Sequence, residues 1–229
     1  MSRLLRSAVA TIILGIFIPT NSSAAAPAQP PAAQDGAAIS PARAAAQAGI
    51  SQMLAILQDR NLDQQQRADK MRVVIEDMID FDTLSRLSIG PAWRDISDAQ
   101  RGQFVDEFKK HMLGIATKST KGYDDEEVVI VGDRAEVKGD ATIQTRILGR
   151  PKDGVQEEIA KVDFRMRQKD ERWKVIDIHI AGISMANTFR VQFLVIMKDG
   201  GMDKLLKMLH DKNAAAGGEK PTRTADADK

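Results

Sequence analysis

At Glu127 the spacing of apolar residues switches from helical to strand-like, so the chain is neither all-helical nor all-strand. "KVDFRMR" alternates strictly, with Val162, Phe164 and Met166 on one face and Lys161, Asp163, Arg165 and Arg167 on the other. Before it, "VVIVGDRAEVKG" predicts a hairpin turning at Gly132-Asp133, and "ATIQTRIL" predicts another strand. After the turn "QKDE" comes a last strand, "RWKVIDIHI". Successive strands joined by short turns imply an antiparallel sheet.

Helical signals flank this block on both sides. Ser40 and Pro41 suit the cap and first position of a helix carrying Ile50, Met53, Leu54, Ile56 and Leu57. Asp63 can cap a second helix, and "FDTLSRLSIG" is a short amphipathic piece closed by Gly90 and Pro91. Ser97 and Gln100 have capping-box spacing, and Phe104, Phe108, Met112 and Ile115 follow along one helical face. Two further helices are expected at about 184–198 and 202–212, divided by Gly200-Gly201. The pattern is α+β, an antiparallel sheet covered by helices in a single domain over residues 40–213.

The ends read differently. Arg3 and Arg6, the apolar run Ala8 to Ile18 and the small residues of "SSAAAP" predict a cleaved signal peptide over residues 1–24, and hence a periplasmic protein. The run is too short to span a bilayer, which takes about 20 residues. Residues 25–39 read as an Ala/Pro linker and 214–229 as a disordered tail. Without Arg3 and Arg6 the chain carries 31 basic and 32 acidic residues, so nothing in its charge argues for a nucleic-acid partner. There is no cysteine, so an exported form depends on its apolar core rather than on disulfides.

The last strand holds the candidate chemistry. Alternation places Lys174, Ile176, Ile178 and Ile180 on one face and Trp173, Val175, Asp177 and His179 on the other. Apolar residues on both faces mean either that protein covers both or that one borders an internal apolar pocket. "GISMA" is close to G-x-S-x-G, with Asp177 and His179 just upstream. Two points count against a hydrolase. The order Asp, His, Ser on an antiparallel meander is not that of a nucleophile elbow. Neighbours on one strand face also lie about 6–7 Å apart at Cα, with Ser184 beyond the strand end, so the three are expected not to assemble. Ser184 is explained as a helix cap, and His179 has no assigned role. His111, His179 and His210 show no zinc-site spacing, and no Gly-rich phosphate loop is present, so neither metal nor cofactor is expected.

Two segments carry a resemblance. "FDTLSRLSIGPAWRDISDAQRGQFVDEFKKHM" and "WKVIDIHIAGISMANTFRVQFLVIMKDGGMDKLLKML" together resemble the MlaC, or toluene-tolerance, family of periplasmic phospholipid-binding transport proteins. "GPAWRDIS" and "KGYDDEE" are similar to its hopanoid-associated branch. The resemblance implies a non-enzymatic carrier whose cargo is a phospholipid or hopanoid-like lipid, its tails held between helices and sheet. It further implies transfer between an outer-membrane lipoprotein complex and an inner-membrane ABC transporter with an MCE-type subunit.

A lipid pocket in this chain is expected to use the inner sheet face, Val162, Phe164, Met166, Ile176 and Ile178. The covering residues would be Phe104, Phe108 and Met112 from one helix, and Ile183, Met185, Phe189 and Phe193 around another. Arg190 interrupts this last apolar stretch, and it either pairs with a local carboxylate such as Asp177 or meets a lipid phosphate. Two other readings stay open on sequence alone: a periplasmic interaction module without a ligand, and an esterase acting through Ser184.

Overall fold

The structure is a computed structural model of the chain and describes residues 40–118, 123, 125–151 and 155–217. The expected signal peptide, the linker and residues 218–229 of the tail lie outside the described residues.

Local capping fixes the helix starts. Ser40 Oγ accepts from Arg43 N at 3.1 Å and opens α1 (Pro41–Gln58), with Pro41 where no donor is needed. Asp63 and Gln66 bond reciprocally at the start of α2 (Gln64–Met78). α3 (Phe81–Ile89) passes into a 3-10 turn (Gly90–Arg94). Ser97 and Gln100 form the expected box before α4 (Asp98–Lys118): Gln100 N donates to Ser97 Oγ and Ser97 N to Gln100 Oε1. Strands β1 (Glu127–Ala135), β2 (Ala141–Leu148), β3 (Glu158–Lys169), β4 (Arg172–Ile180) and the short β5 (Ile183–Ser184) make one antiparallel sheet in chain order. α5 (Met185–Gly217) bends at Gly200-Gly201, where the sequence predicts a break, and runs past Asn213 into the stretch read as tail. The fold is α+β. The described chain forms two compact units, each made of two stretches: residues 40–80 with 116–185, and residues 81–115 with 186–217.

In the first unit, two irregularities decide which residues face the core. Gly132-Asp133 is not a turn. Val131 drops out of the β1–β2 ladder there, and the strand continues to Ala135. A Cβ on Gly132 would lie 2.9 Å from Gln144 Oε1, so any larger residue here would have to push the Gln144 amide aside. The chain reverses instead at Val137–Gly139, where Lys138 and Gly139 take φ of 64° and 77°. On β4, Ile176 has no partner: Arg165 pairs with Asp177 and Met166 with Val175. This single skipped residue shifts the alternation expected from sequence. Trp173 and Val175 join the face of Ile178 and Ile180, while Lys174 joins Asp177 and His179. The sheet is thus apolar on one side and charged on the other.

α1 covers part of the apolar side, with Ala42, Ala46 and Ile50 packed into one core with Ile143, Met166 and Val175. α2 crosses α1 closely, because a Cβ on Gly49 would collide with the Met78 thioether. The end of α2 is tied to the sheet by Asp80 N donating to Val175 O at 2.9 Å and by Arg172 on Asp77 at 2.6 Å. On the charged side, the fully buried Asp140 carboxylate accepts from Arg165 (2.7 and 3.1 Å) and Arg167 (2.7 and 3.0 Å).

The second unit is helical. Phe104 and Phe108 of α4 stack at 5.4 Å, and Phe189 and Phe193 of α5 meet them edge-on at 4.9–5.6 Å. Farther along, Asn213 Nδ2 donates to Glu107 O at 2.9 Å and Gln100 Nε2 to Asp203 at 2.9 Å.

Burial opposes the Asp140 charge, but the hydrogen bonds from Arg167 and Arg165 outweigh it and hold the carboxyl below its ordinary range. A depressed folded-state pKa adds stability above the unfolded value and loses it as pH falls through the folded one. Asp140→Asn is expected to cost about 3 kcal/mol at pH 7. The gap to wild type should narrow as pH falls below about 4. Urea unfolding at pH 7 and pH 3 measures both, and an equal gap at the two pH values contradicts this role for the pair of arginines.

Candidate functional site

The structure sorts the thirteen lipid-contact residues expected from sequence into two groups. Val162, Phe164, Met166 and Ile178 share the apolar sheet face of the first unit. Ile176 is buried but out of the ladder, Ile183 is 49% exposed, and Met185 is buried. In the second unit, Phe104, Phe108, Phe189 and Phe193 are brought together, none more than 3% exposed. Met112 and Arg190 are half-buried.

The buried core under α1 has a half-exposed margin. Met53 and Leu54 of α1, with Phe164, Trp173 and Ile178 of the sheet, pack against the core but stay partly accessible. Five large apolar side chains left half-wet beside a core are candidates for contact with an apolar guest. Sequence reasoning did not single out α1 as a cover of this face. Met53 and Leu54 belong to its recognisable helical stripe, but the partner of a stripe is not written in its period.

The polar side of the same strand answers the hydrolase question. Ala181 and Gly182 take φ of 49° and 82°, a tight reversal that lays Ser184 beside His179 as its cross-strand partner. Asp177, His179 and Ser184 therefore do assemble, against expectation, but in the wrong order for catalysis. Ser184 Oγ donates to Asp177 Oδ2 at 2.6 Å, and His179 Nε2 lies 3.8 Å from the same oxygen. The serine proton goes to the acid, whereas a nucleophilic serine needs the base as its acceptor. Asp177 Oδ1 also accepts from Ile178 N at 2.9 Å, so both carboxylate oxygens hold the strand-to-helix corner. No group of three or more His, Cys, Asp or Glu with metal-binding geometry occurs among the described residues.

Arg190 is seated on Gly90. Its Cδ lies 2.6 Å from where a Cβ on Gly90 would stand, and Gly90 has φ of 66°, so glycine is doubly required there. The guanidinium donates to Asn187 Oδ1. The guanidinium carbons of Arg86 and Arg101 lie 5.9 and 5.8 Å from the Trp93 ring centroid.

The model of the family described as "MlaC protein" matches residues 47–211. The chain belongs to the MlaC family. The match runs from within α1 to near the end of α5 and takes in all thirteen residues above. No curated protein matches the sequence. Among solved structures, this MlaC-family chain is similar to the phospholipid-binding protein from Ralstonia solanacearum determined in complex with a phospholipid. The TM-score is 0.64 at 22% identity, covering 78% of this chain and 99% of that one. The two share a fold.

Ser184→Ala removes a donor from a buried carboxylate and is expected to cost about 1–3 kcal/mol. The same variant should leave chromogenic-ester turnover unchanged from wild type. Thermal unfolding and an esterase assay on one preparation check the pair, and lost turnover in a folded variant would restore the hydrolase reading.

Proposed function

We propose that this MlaC-family chain is a soluble periplasmic carrier that binds a phospholipid in an apolar pocket and shuttles it between the outer and inner membranes. The observation that carries this reading is the half-exposed apolar margin of the α1–sheet core, Met53, Leu54, Phe164, Trp173 and Ile178. Family membership and the phospholipid seen in the Ralstonia solanacearum relative support lipid as the guest. Among the described residues, no helix is long and apolar enough to cross a membrane.

The energetics suit a shuttle. Two tails of about 30 methylenes in all bring roughly 25 kcal/mol of gross burial, about what the same tails gain in a bilayer. A pocket that matches this value exchanges cargo in either direction. Met53 and Met166 are unbranched and adaptable, which suits tails of varying length. In this reading Val162, Phe164, Met166, Ile176 and Ile178 line the sheet side. Ile183 and Met185 join these in the first unit, and the candidate contacts in the second unit are Phe104, Phe108, Met112, Phe189 and Phe193. The carrier has no enzymatic step and no cofactor, and its N-terminal signal peptide is removed on export. Its partners are an outer-membrane lipoprotein complex and an inner-membrane MCE-type ABC transporter.

Protein purified without detergent is expected to carry phospholipid at near-stoichiometric amount, measured by organic extraction and mass spectrometry. Repeated preparations free of lipid that also fail to take it up from vesicles would favour a ligand-free interaction module.

A further inference from the structure

Among the described residues Arg190 forms no ion pair. Its one polar partner among the described residues is the neutral Asn187 amide oxygen. The aliphatic stem is fixed on Gly90, so the guanidinium is aimed by packing rather than by a carboxylate. A half-buried guanidinium with free donors is costly in an apolar stretch, and nature usually neutralises it with a carboxylate. Here none serves among the described residues.

The same helix continues this feature with an apolar line. Leu194 and Met197 follow Arg190 at i+4 and i+7, so they stack along one face, and both are half-buried. Val191 and Val195 flank them and are 59% and 65% exposed. The adjoining face, about a quarter-turn round the helix, buries Phe189 and Phe193, and Val191 and Val195 lie on the other side of the line. A fixed cation at one end and about 10 Å of solvent-accessible apolar helix beyond it have the shape of an anionic amphiphile.

We propose that Arg190 receives the phosphate of the cargo lipid, with Leu194 and Met197 taking the start of one acyl chain. This rests on the carrier reading and gives it a specificity: lipids with a phosphate over lipids with the same tails and none. The planar fork of arginine matches two phosphate oxygens, which an ammonium does not.

The test compares full-length wild type, Arg190→Gln and Arg190→Lys for binding to phosphatidic acid and diacylglycerol with identical tails, with thermal melts to confirm folding. Wild type should prefer phosphatidic acid by about tenfold or more. Arg190→Gln should abolish that preference while leaving diacylglycerol binding unchanged, and Arg190→Lys should keep part of it. Inorganic phosphate should not compete at matched concentration; full competition would mean a free-phosphate site and overturn the headgroup assignment. A folded Arg190→Gln that keeps the preference, or loses both lipids equally, also overturns it and leaves the carrier reading standing. Wild type that binds neither lipid removes the carrier reading itself.

Discussion

Everything in the first unit depends on one unpaired residue. With Ile176 out of the ladder, Trp173 and Val175 come to the same side as Ile178 and Ile180. Without that shift, β4 would present apolar side chains to both sides and its charges would be divided between them. With it, the apolar side can receive α1, and the charged side can gather arginines around Asp140. A bulge costs a ladder hydrogen bond but reverses the facing of every residue beyond it, which is a large return on a local irregularity.

The sharing of labour follows from this. Polar residues of β4 and β5 direct their hydrogen bonds to the corner where the chain leaves the sheet for α5: Asp177 accepts from Ser184 Oγ and Ile178 N. What resembles a catalytic triad in the sequence is a joint. The apolar side keeps a margin of half-wet side chains that neither a fully packed core nor a polar surface would leave. The proposed role as a lipid carrier asks for such a compromise, because a wall packed to completion has no room for cargo.

Legibility in the sequence tracks distance along the chain. The caps at Ser40, Asp63 and Ser97 and the break at Gly200-Gly201 depend on residues a few positions apart, and each appears where the sequence predicts. The strand alternation of β3 is equally local. The turn at Gly132-Asp133 is misread because glycine serves a bulge as readily as a turn, and only the pairing of β1 with β2 distinguishes them. The shift at Ile176 depends on which β3 residues lie across from it, so it cannot be read from β4. Arg190 is the same kind of case. Its sequence neighbours suggest a nearby acid, and its seat on Gly90, a hundred positions earlier, is visible only in the folded chain.

The helical unit is assembled from segments separated by the whole sheet. Phe104 and Phe108 are synthesised long before Phe189 and Phe193, which bury their rings. Until the last helix is made, α4 carries two phenylalanines without the rings that cover them, an exposed apolar patch on an incomplete chain. The folding of this unit is timed by its C-terminus, and a chain cut short before residue 189 would have the sheet and no means of closing its aromatic core.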